Sequence, residues 1–247
     1  MRIFVASDAA AAAARAADIL ESVVRSKPRT RLGMATGSTM AGVYRSLADR
    51  HQAGPLSFAD TSVYLLDEYV GLDSGHPQAY RNVIRTGLAD LVDLSDDAVF
   101  GPDGGASDLE AEARRYDRLI TETPIDIQVL GIGGNGHIAF NEPGTAFDAP
   151  TSVVALSDRT RRDNARFFGS VDDVPGQAIT QGIGTILQAA RILLIALGTH
   201  KARPVSDALE GPVSVETPAS AVQLHPDALV VLDAQAASLL SSARPPR

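Results

Sequence analysis

The sequence has 247 residues, 45% hydrophobic but only 5% aromatic with no Trp, so its core must come from Ala, Val, Leu and Ile, which fill the layers between helices and a sheet. A formal net charge of −8 argues against a nucleic-acid binder, which needs a basic surface, and the absence of Cys excludes disulfides, thiolate chemistry and Cys-based metal sites. No stretch approaches the roughly 18 apolar residues of a membrane span, and residues 1–7 lead into a polar-bounded Ala run rather than a signal-peptide core, so a cytoplasmic protein with no membrane partner is expected.

Short β-rich segments alternate with helical ones along the chain. Arg2–Ala6 reads as a strand, and Asp8 caps an Ala-rich helix that runs to about Arg25, where Ser26-Lys-Pro28 stops it. A second strand, Arg31–Ala35, enters Thr36-Gly-Ser-Thr39 and a helix over Met40–His51. A third, Ser62–Leu66, ends at Asp67-Glu-Tyr69. Helices are expected around Gln78–Leu91 and Asp108–Glu122, after which a strand over Asp126–Gly131 enters a glycine-rich segment. Beyond it come a strand over Ser152–Leu156, helices over Asp158–Phe168 and Gly184–Ala189, a strand over Arg191–Leu197, a helix over Lys201–Leu209, and a last strand over Ala228–Leu232 with a C-terminal helix. The tail 241–247 is expected to fray. This alternation predicts the α/β class, an open, mainly parallel sheet flanked by helices on both faces in a Rossmann-like three-layer arrangement, with 1–247 as a single domain.

Three of these strands run into the most distinctive polar clusters, at Thr36–Thr39, Asp67–Tyr69 and Gly133–His137. In open parallel sheets the carboxyl ends of the strands carry the ligand crevice, so one shared site is expected. Thr36, Gly37, Ser38 and Thr39 join a strand to a helix, and their backbone N–H groups and hydroxyls at the helix's positive end suit a phosphate; the same residues also serve as an ordinary N-cap. The Gly-Lys-Ser/Thr ending of a nucleotide P-loop is missing.

Gly131-x-Gly133-x-x-Gly136 matches a dinucleotide fingerprint in letters, yet Phe140-Asn-Glu-Pro143-Gly144 would break the required helix within two turns. The glycines better suit a backbone that passes close to a substrate and presents His137. A lone His is more often structural, but Glu142 lies five positions on, and a carboxylate within reach can fix the imidazole tautomer. Asp67-Glu68 is either a cap or solvated strand end, or the general base of a site on the rim that carries His137. The five His have no zinc-like spacing, so no metal is expected. Arg166 and Lys201 are candidate phosphate cations, although Arg159, Arg161, Arg162 and Arg203 are equally basic and the residues alone do not separate them.

Leu66-Asp-Glu-Tyr-Val-Gly-Leu72, His76-Pro-Gln-Ala-Tyr80, Gly131-Ile-Gly-Gly-Asn-Gly-His-Ile-Ala-Phe-Asn-Glu-Pro143, Asn164-Ala-Arg-Phe-Phe168 and Gly198-Thr-His-Lys-Ala202 resemble, in order, the signature segments of the glucosamine-6-phosphate deaminase family. The resemblance runs from the first strand to Leu232, and its Asn-Glu-Pro ending differs from the related 6-phosphogluconolactonases. It implies conversion of glucosamine 6-phosphate to fructose 6-phosphate and ammonia without a cofactor. Asp67 would move a proton between C2 and C1 of the opened sugar, and His137, oriented by Glu142, would assist ring opening. Thr36, Gly37, Ser38, Thr39, Arg166 and Lys201 would hold the phosphate.

Two departures from the family pattern qualify what it implies. Many allosteric members carry Asp where this chain has Asn135, and Asn can hydrogen-bond the imidazole but stabilises its charge less. The stretch that matches their basic activator site, Thr151-Ser-Val-Val-Ala-Leu-Ser157, holds no cation, so a monomer or small homo-oligomer without activation by N-acetylglucosamine 6-phosphate is expected. A deaminase for another amino-sugar phosphate, a lactonase and a non-catalytic sugar-phosphate sensor remain alternatives on the same scaffold.

Overall fold

The computed structural model describes residues 1–27 and 29–241. Strand β1 (Arg2–Ala6) leads into α1 (Ala9–Ser26), whose Asp8 cap accepts the Ala11 N–H at 2.8 Å through Oδ1. The Ala-rich composition lets α1 sit close to its neighbours. Ala12, Ala13, Ala16, Ala17 and Leu20 are buried, and Gly42 of α2 (Ser38–Ala53) comes against the Ala13 methyl. Between these helices runs β2 (Arg31–Met34). Next come β3 (Ser62–Leu65), β4 (Asp67–Tyr69), α3 (Tyr80–Gly87), β5 (Val99–Phe100), α4 (Leu109–Thr121) and β6 (Ile127–Leu130). The second half contributes β7 (Ser152–Ala155), α5 (Asp158–Asn164), β8 (Gln177–Thr180), α6 (Ile183–Ile186), β9 (Ile192–Ala196), α7 (Ala202–Leu209) and β10 (Ala228–Asp233).

Seven strands form one parallel sheet in the order β1-β10-β9-β6-β2-β3-β5, flanked by helices in the expected three layers. Every residue of β6, β9 and β10 is buried, as near-continuous Val/Ile/Leu runs require when both faces of a sheet are covered. Each such side chain contributes about 1.5–3 kcal/mol of transfer free energy, which is why the central strands need little help from local propensity.

The strand order also fixes where a ligand can enter. From β2 the chain steps outward to β3, whereas from β6 it next joins this sheet at β9, on the opposite side. Adjacent strands whose connections leave in opposite directions open a crevice at their carboxyl ends. Thr36–Thr39 and the Gly131–His137 segment follow those two strands.

The structure departs from the expected elements in several places. After Leu65 the chain leaves the parallel sheet, and β4 pairs antiparallel with β8, which pairs antiparallel with β7. Neither β5 nor β8 was expected, and β7 belongs to this second sheet rather than the first. The helix expected over Gln78–Leu91 is α3 plus a 3-10 turn at Ala89–Leu91, and the one over Asp158–Phe168 is α5 plus a 3-10 turn at Ala165–Phe167. The helix expected over Gly184–Ala189 shrinks to a single turn, α6. Lys201 closes a 3-10 turn, Thr199–Lys201, ahead of α7. Residues 234–239, where a C-terminal helix was expected, form consecutive turns, and the Asp233 carboxylate accepts the N–H groups of Gly198 and Ala236. Pro28, the expected stop of the first helix, and the tail from 242 lie outside the described residues.

Candidate active site

The carboxyl ends of four consecutive strands, β9, β6, β2 and β3, lead into Gly198–Lys201, Gly131–His137, Thr36–Thr39 and Asp67. The acidic pair after β3 divides into two roles. Glu68 is committed to the start of α3: Oε1 accepts the N–H groups of Tyr69 at 2.9 Å and Tyr80 at 3.0 Å, and Oε2 accepts that of Arg81 at 3.1 Å. The bonds to Tyr80 and Arg81 satisfy first-turn donors of α3 that would otherwise be orphaned. Asp67 is only 7% exposed and has no hydrogen-bond partner for its carboxyl group among the described residues. Burial, and then the neighbouring Glu68 charge, push its pKa well above the usual carboxylate range. A buried carboxylate with raised proton affinity suits a base that takes a proton from carbon.

An aromatic cluster packs near the acidic pair. Tyr69, Tyr80, Phe140 and Phe168 pack together, with the Tyr80 hydroxyl donating to that of Tyr69 at 3.1 Å. Burial pushes the Tyr69 hydroxyl up to about 12.

After β6 the glycines serve His137. A Cβ at Gly133 would lie 2.3 Å from Cε1 and Nε2 of the His137 ring, so the imidazole rests directly on the backbone of its own loop. The Gly133 N–H donates to the His137 carbonyl at 2.8 Å and closes that loop. His137 Nδ1 is buried without a hydrogen-bond partner, 3.8 Å from Glu142 Oε2. Glu142 is therefore a fixed charge beside the ring rather than the hydrogen-bonded orienting group expected from the sequence.

Asn135 holds Glu142 in place instead. Its Nδ2 donates to Glu142 Oε2 at 2.6 Å, and its Oδ1 accepts the His137 N–H at 3.2 Å, so its amide bonds the backbone of His137 and not the imidazole. The other Glu142 oxygen accepts Ser157 Oγ at 3.1 Å and Thr160 Oγ1. Burial alone would raise the Glu142 pKa, but His137, Thr160 and Asn135 outweigh it and hold the group at about 2. Ser157 and Thr160 make these bonds unannounced in the sequence, where Ser157 ends the cation-free stretch Thr151–Ser157 and Thr160 falls in the helix expected over Asp158–Phe168.

At the end of β2, Gly37 adopts φ 102°, and no side chain caps α2. Gly37 and Ser38 are exposed, while Thr36 and Thr39 are half-buried. The positive end of a 16-residue helix thus stays available to an anion. From below, the buried Tyr44 hydroxyl donates to the Ala35 carbonyl and anchors the turn.

Lys201 crosses from the end of β9 to the β6 loop, where Nζ donates to the Ile132 carbonyl at 2.6 Å. Burial, and then the Arg166 charge, lower its pKa, so the two candidate cations are neighbours. The other arginines are separated by their partners: Arg161 bonds the Val171 and Val174 carbonyls, Arg162 the Asp158 carbonyl and Arg203 Asp207. Arg159 is a residue the sequence could not single out; its guanidinium lies against Gly134, within 3.1 Å of where a Cβ would stand. Among the described residues no group of three His, Cys, Asp or Glu is placed to hold a metal ion.

An open parallel sheet that gathers acid–base groups and a free helix terminus at its switch point defines an α/β enzyme acting on a small anionic molecule. Residues 6–231 match the family model for glucosamine-6-phosphate isomerases/6-phosphogluconolactonase, and the chain belongs to that family. A glucosamine-6-phosphate deaminase of Rhodococcus opacus (strain B4) is 51% identical over 228 residues, 92% of this chain and 88% of the relative. One of Geobacillus sp. (strain WCH70) is 47% identical over 92% of this chain and 90% of its own. Among solved structures, a monomeric glucosamine-6-phosphate deaminase superimposes with a TM-score of 0.94 at 45% identity, covering 97% of this chain and 100% of that one. A 6-phosphogluconolactonase from Trypanosoma brucei has a TM-score of 0.76 at 21% identity over 97% and 98% of the two chains, a likeness of fold alone.

Proposed function

We propose that the protein converts glucosamine 6-phosphate and water to fructose 6-phosphate and ammonia, as a cytoplasmic single-domain enzyme. The observation that carries this reading is the pairing of a buried, unpartnered Asp67 with a His137–Glu142 unit on a separate strand, in a chain about half identical to proteins named for this deamination. The phosphate lies on the α2 terminus at Thr36, Gly37, Ser38 and Thr39, with Arg166 and Lys201 completing its charge balance. Phosphate binding then orients the sugar without taking part in its chemistry.

His137 transfers a proton at the ring oxygen and opens the ring, while the Glu142 anion steadies the positive charge that passes through the imidazole. Asp67 removes the proton from C2 of the open chain and returns it to C1 through an enol-type intermediate, leaving an imine at C2. Water adds there and ammonia departs. Two acid–base groups acting on different atoms explain why the site needs side chains from two strands. Asn135 belongs to this machinery through Glu142. The solved monomeric relative and the cation-free stretch Thr151–Ser157 support a monomer or small homo-oligomer without an activator site.

Offering glucosamine 6-phosphate, galactosamine 6-phosphate and 6-phosphogluconolactone in parallel, with ammonia and acid release recorded, tests the reading. Ammonia from glucosamine 6-phosphate in preference to the others is the expected result. Acid release from the lactone without ammonia from either amino sugar would overturn it.

A further inference from the structure

Asp67 and His137 follow strands that are not neighbours, since β2 lies between β3 and β6. The parallel sheet alone does not set the distance between the two groups, and the small antiparallel sheet makes the cross-connection. Thr180, the last residue of β8, stands opposite Asp67 in the antiparallel register of β4 and β8 and is fully buried. Its Oγ1 accepts the Phe140 N–H at 3.2 Å and donates to the Gln181 carbonyl at 3.3 Å.

Phe140 belongs to the turn that follows His137. That turn is closed by the Asn141 N–H donating to the Ile138 carbonyl at 3.0 Å, and it carries Ala139 at φ 50°, a conformation that side-chain-bearing residues adopt reluctantly. Asn141 Nδ2 donates to the Ile138 carbonyl at 3.0 Å and to the Gln181 carbonyl at 2.8 Å. Gln181 grips the other side: its N–H donates to the Leu66 carbonyl at 2.7 Å and its Nε2 to the Leu65 carbonyl at 2.8 Å. The segment just before Asp67 and the turn just after His137 are thus tied to the same two residues, Thr180 and Gln181.

We propose that Thr180 is a positioning residue for the reaction, holding the His137 turn through the Phe140 N–H while its own backbone is registered against Asp67. Its hydroxyl bonds neither reacting group, and its effect on turnover runs through their separation. The inference rests on the reading of Asp67 and His137 as the acid–base pair.

Thr180→Val keeps the shape and β-branching of the side chain but removes the acceptor, and Thr180→Ser keeps the acceptor. Thr180→Ala serves as a second hydroxyl-free variant should the valine protein fail to fold. Each is checked for native circular dichroism before kinetics. The hydroxyl-free variant should lose kcat by on the order of tenfold to a hundredfold, the scale of a small misplacement of catalytic groups, while KM and competitive inhibition by inorganic phosphate stay near wild type. Thr180→Ser should stay within about twofold of wild type, because the bond is retained. In a His137→Gln background the same substitution should add no further loss, since the group it positions is gone. Wild-type kcat in the hydroxyl-free variant, an equal loss in Thr180→Ser, or an undiminished loss in the His137→Gln background would each overturn the proposal. The reading beneath it fails separately, if Asp67→Asn or His137→Gln alone leaves turnover intact.

Discussion

Glu142→Gln removes the carboxylate charge beside His137 with almost no change of shape. In the native protein this carboxylate accepts hydrogen bonds from Asn135, Ser157 and Thr160, and its side chain is 22% exposed. Burial works against the anion, but His137, Thr160 and Asn135 lower the pKa from the ordinary 4.5 to about 2. A depressed carboxylate contributes stability that is fully present above the unfolded value and is lost as the pH falls through the folded one. At about 1.4 kcal/mol per pH unit, the gap between 4.5 and about 2 amounts to about 3 kcal/mol, of which about 2 kcal/mol is gone by about pH 3. Urea unfolding of both proteins at intervals from about pH 6 to about pH 3 measures it, because the variant lacks the titrating group and the stability difference between the two should shrink by about 2 kcal/mol over that range. At neutral pH the variant should also lose kcat with KM little changed, because the phosphate contacts lie elsewhere. A stability difference that stays constant across the range would refute the claim that the site holds Glu142 ionised.

Asp67→Asn should lower kcat by roughly a hundredfold to ten-thousandfold, with inhibition by inorganic phosphate unaltered in steady-state assays. Because the native pKa of Asp67 is raised, its ionisation destabilises the fold as the pH rises through that value, so the same variant should melt at a higher temperature than wild type at neutral pH; a lower melting temperature there would contradict the burial argument. Gly133→Ala puts a methyl group 2.3 Å from the His137 ring and must displace it, so kcat should fall by on the order of a hundredfold while KM holds, and a variant with wild-type turnover would show that the ring's seat is not needed. Saturation curves with and without N-acetylglucosamine 6-phosphate should superimpose, since Thr151–Ser157 offers no cation; a sharp drop in apparent KM would count against this.

The parallel sheet was legible because its strands are short Val/Ile/Leu runs bounded by turn residues, and burial on both faces leaves that composition little choice. The glycine-rich loop was legible as a mount for His137, because Pro143 argues it out of a dinucleotide turn. The second sheet was hidden for a physical reason. β8 is the four-residue run Gln-Ala-Ile-Thr, too short for any periodicity, and it is defined by pairing with β4 more than a hundred positions away. Thr180 and Asn141 therefore carried no local mark of what they do. The same holds for the division of labour between Asp67 and Glu68, which depends on where α3 begins, and for Asn135, whose amide could have met the imidazole but meets Glu142.

Asp67 and Glu142 show how one edge of a sheet supports opposite chemical states. Asp67 is buried near Tyr69 and Tyr80 with no hydrogen bond on its carboxyl oxygens among the described residues, and burial raises its pKa. Glu142 is also partly buried, yet His137, Thr160 and Asn135 together outweigh that burial and reverse the outcome. What separates them is the company of His137 and of hydrogen-bond donors, and both follow from topology. Asp67 follows a strand that turns into the small sheet, where backbone donors are already paired across β4 and β8, whereas Glu142 faces the first turn of α5, where Ser157 and Thr160 have hydroxyls to give. On the proposed mechanism, a group that gains and loses a proton and a group that stays ionised thus obtain their different environments from the two kinds of secondary structure that meet at this crevice.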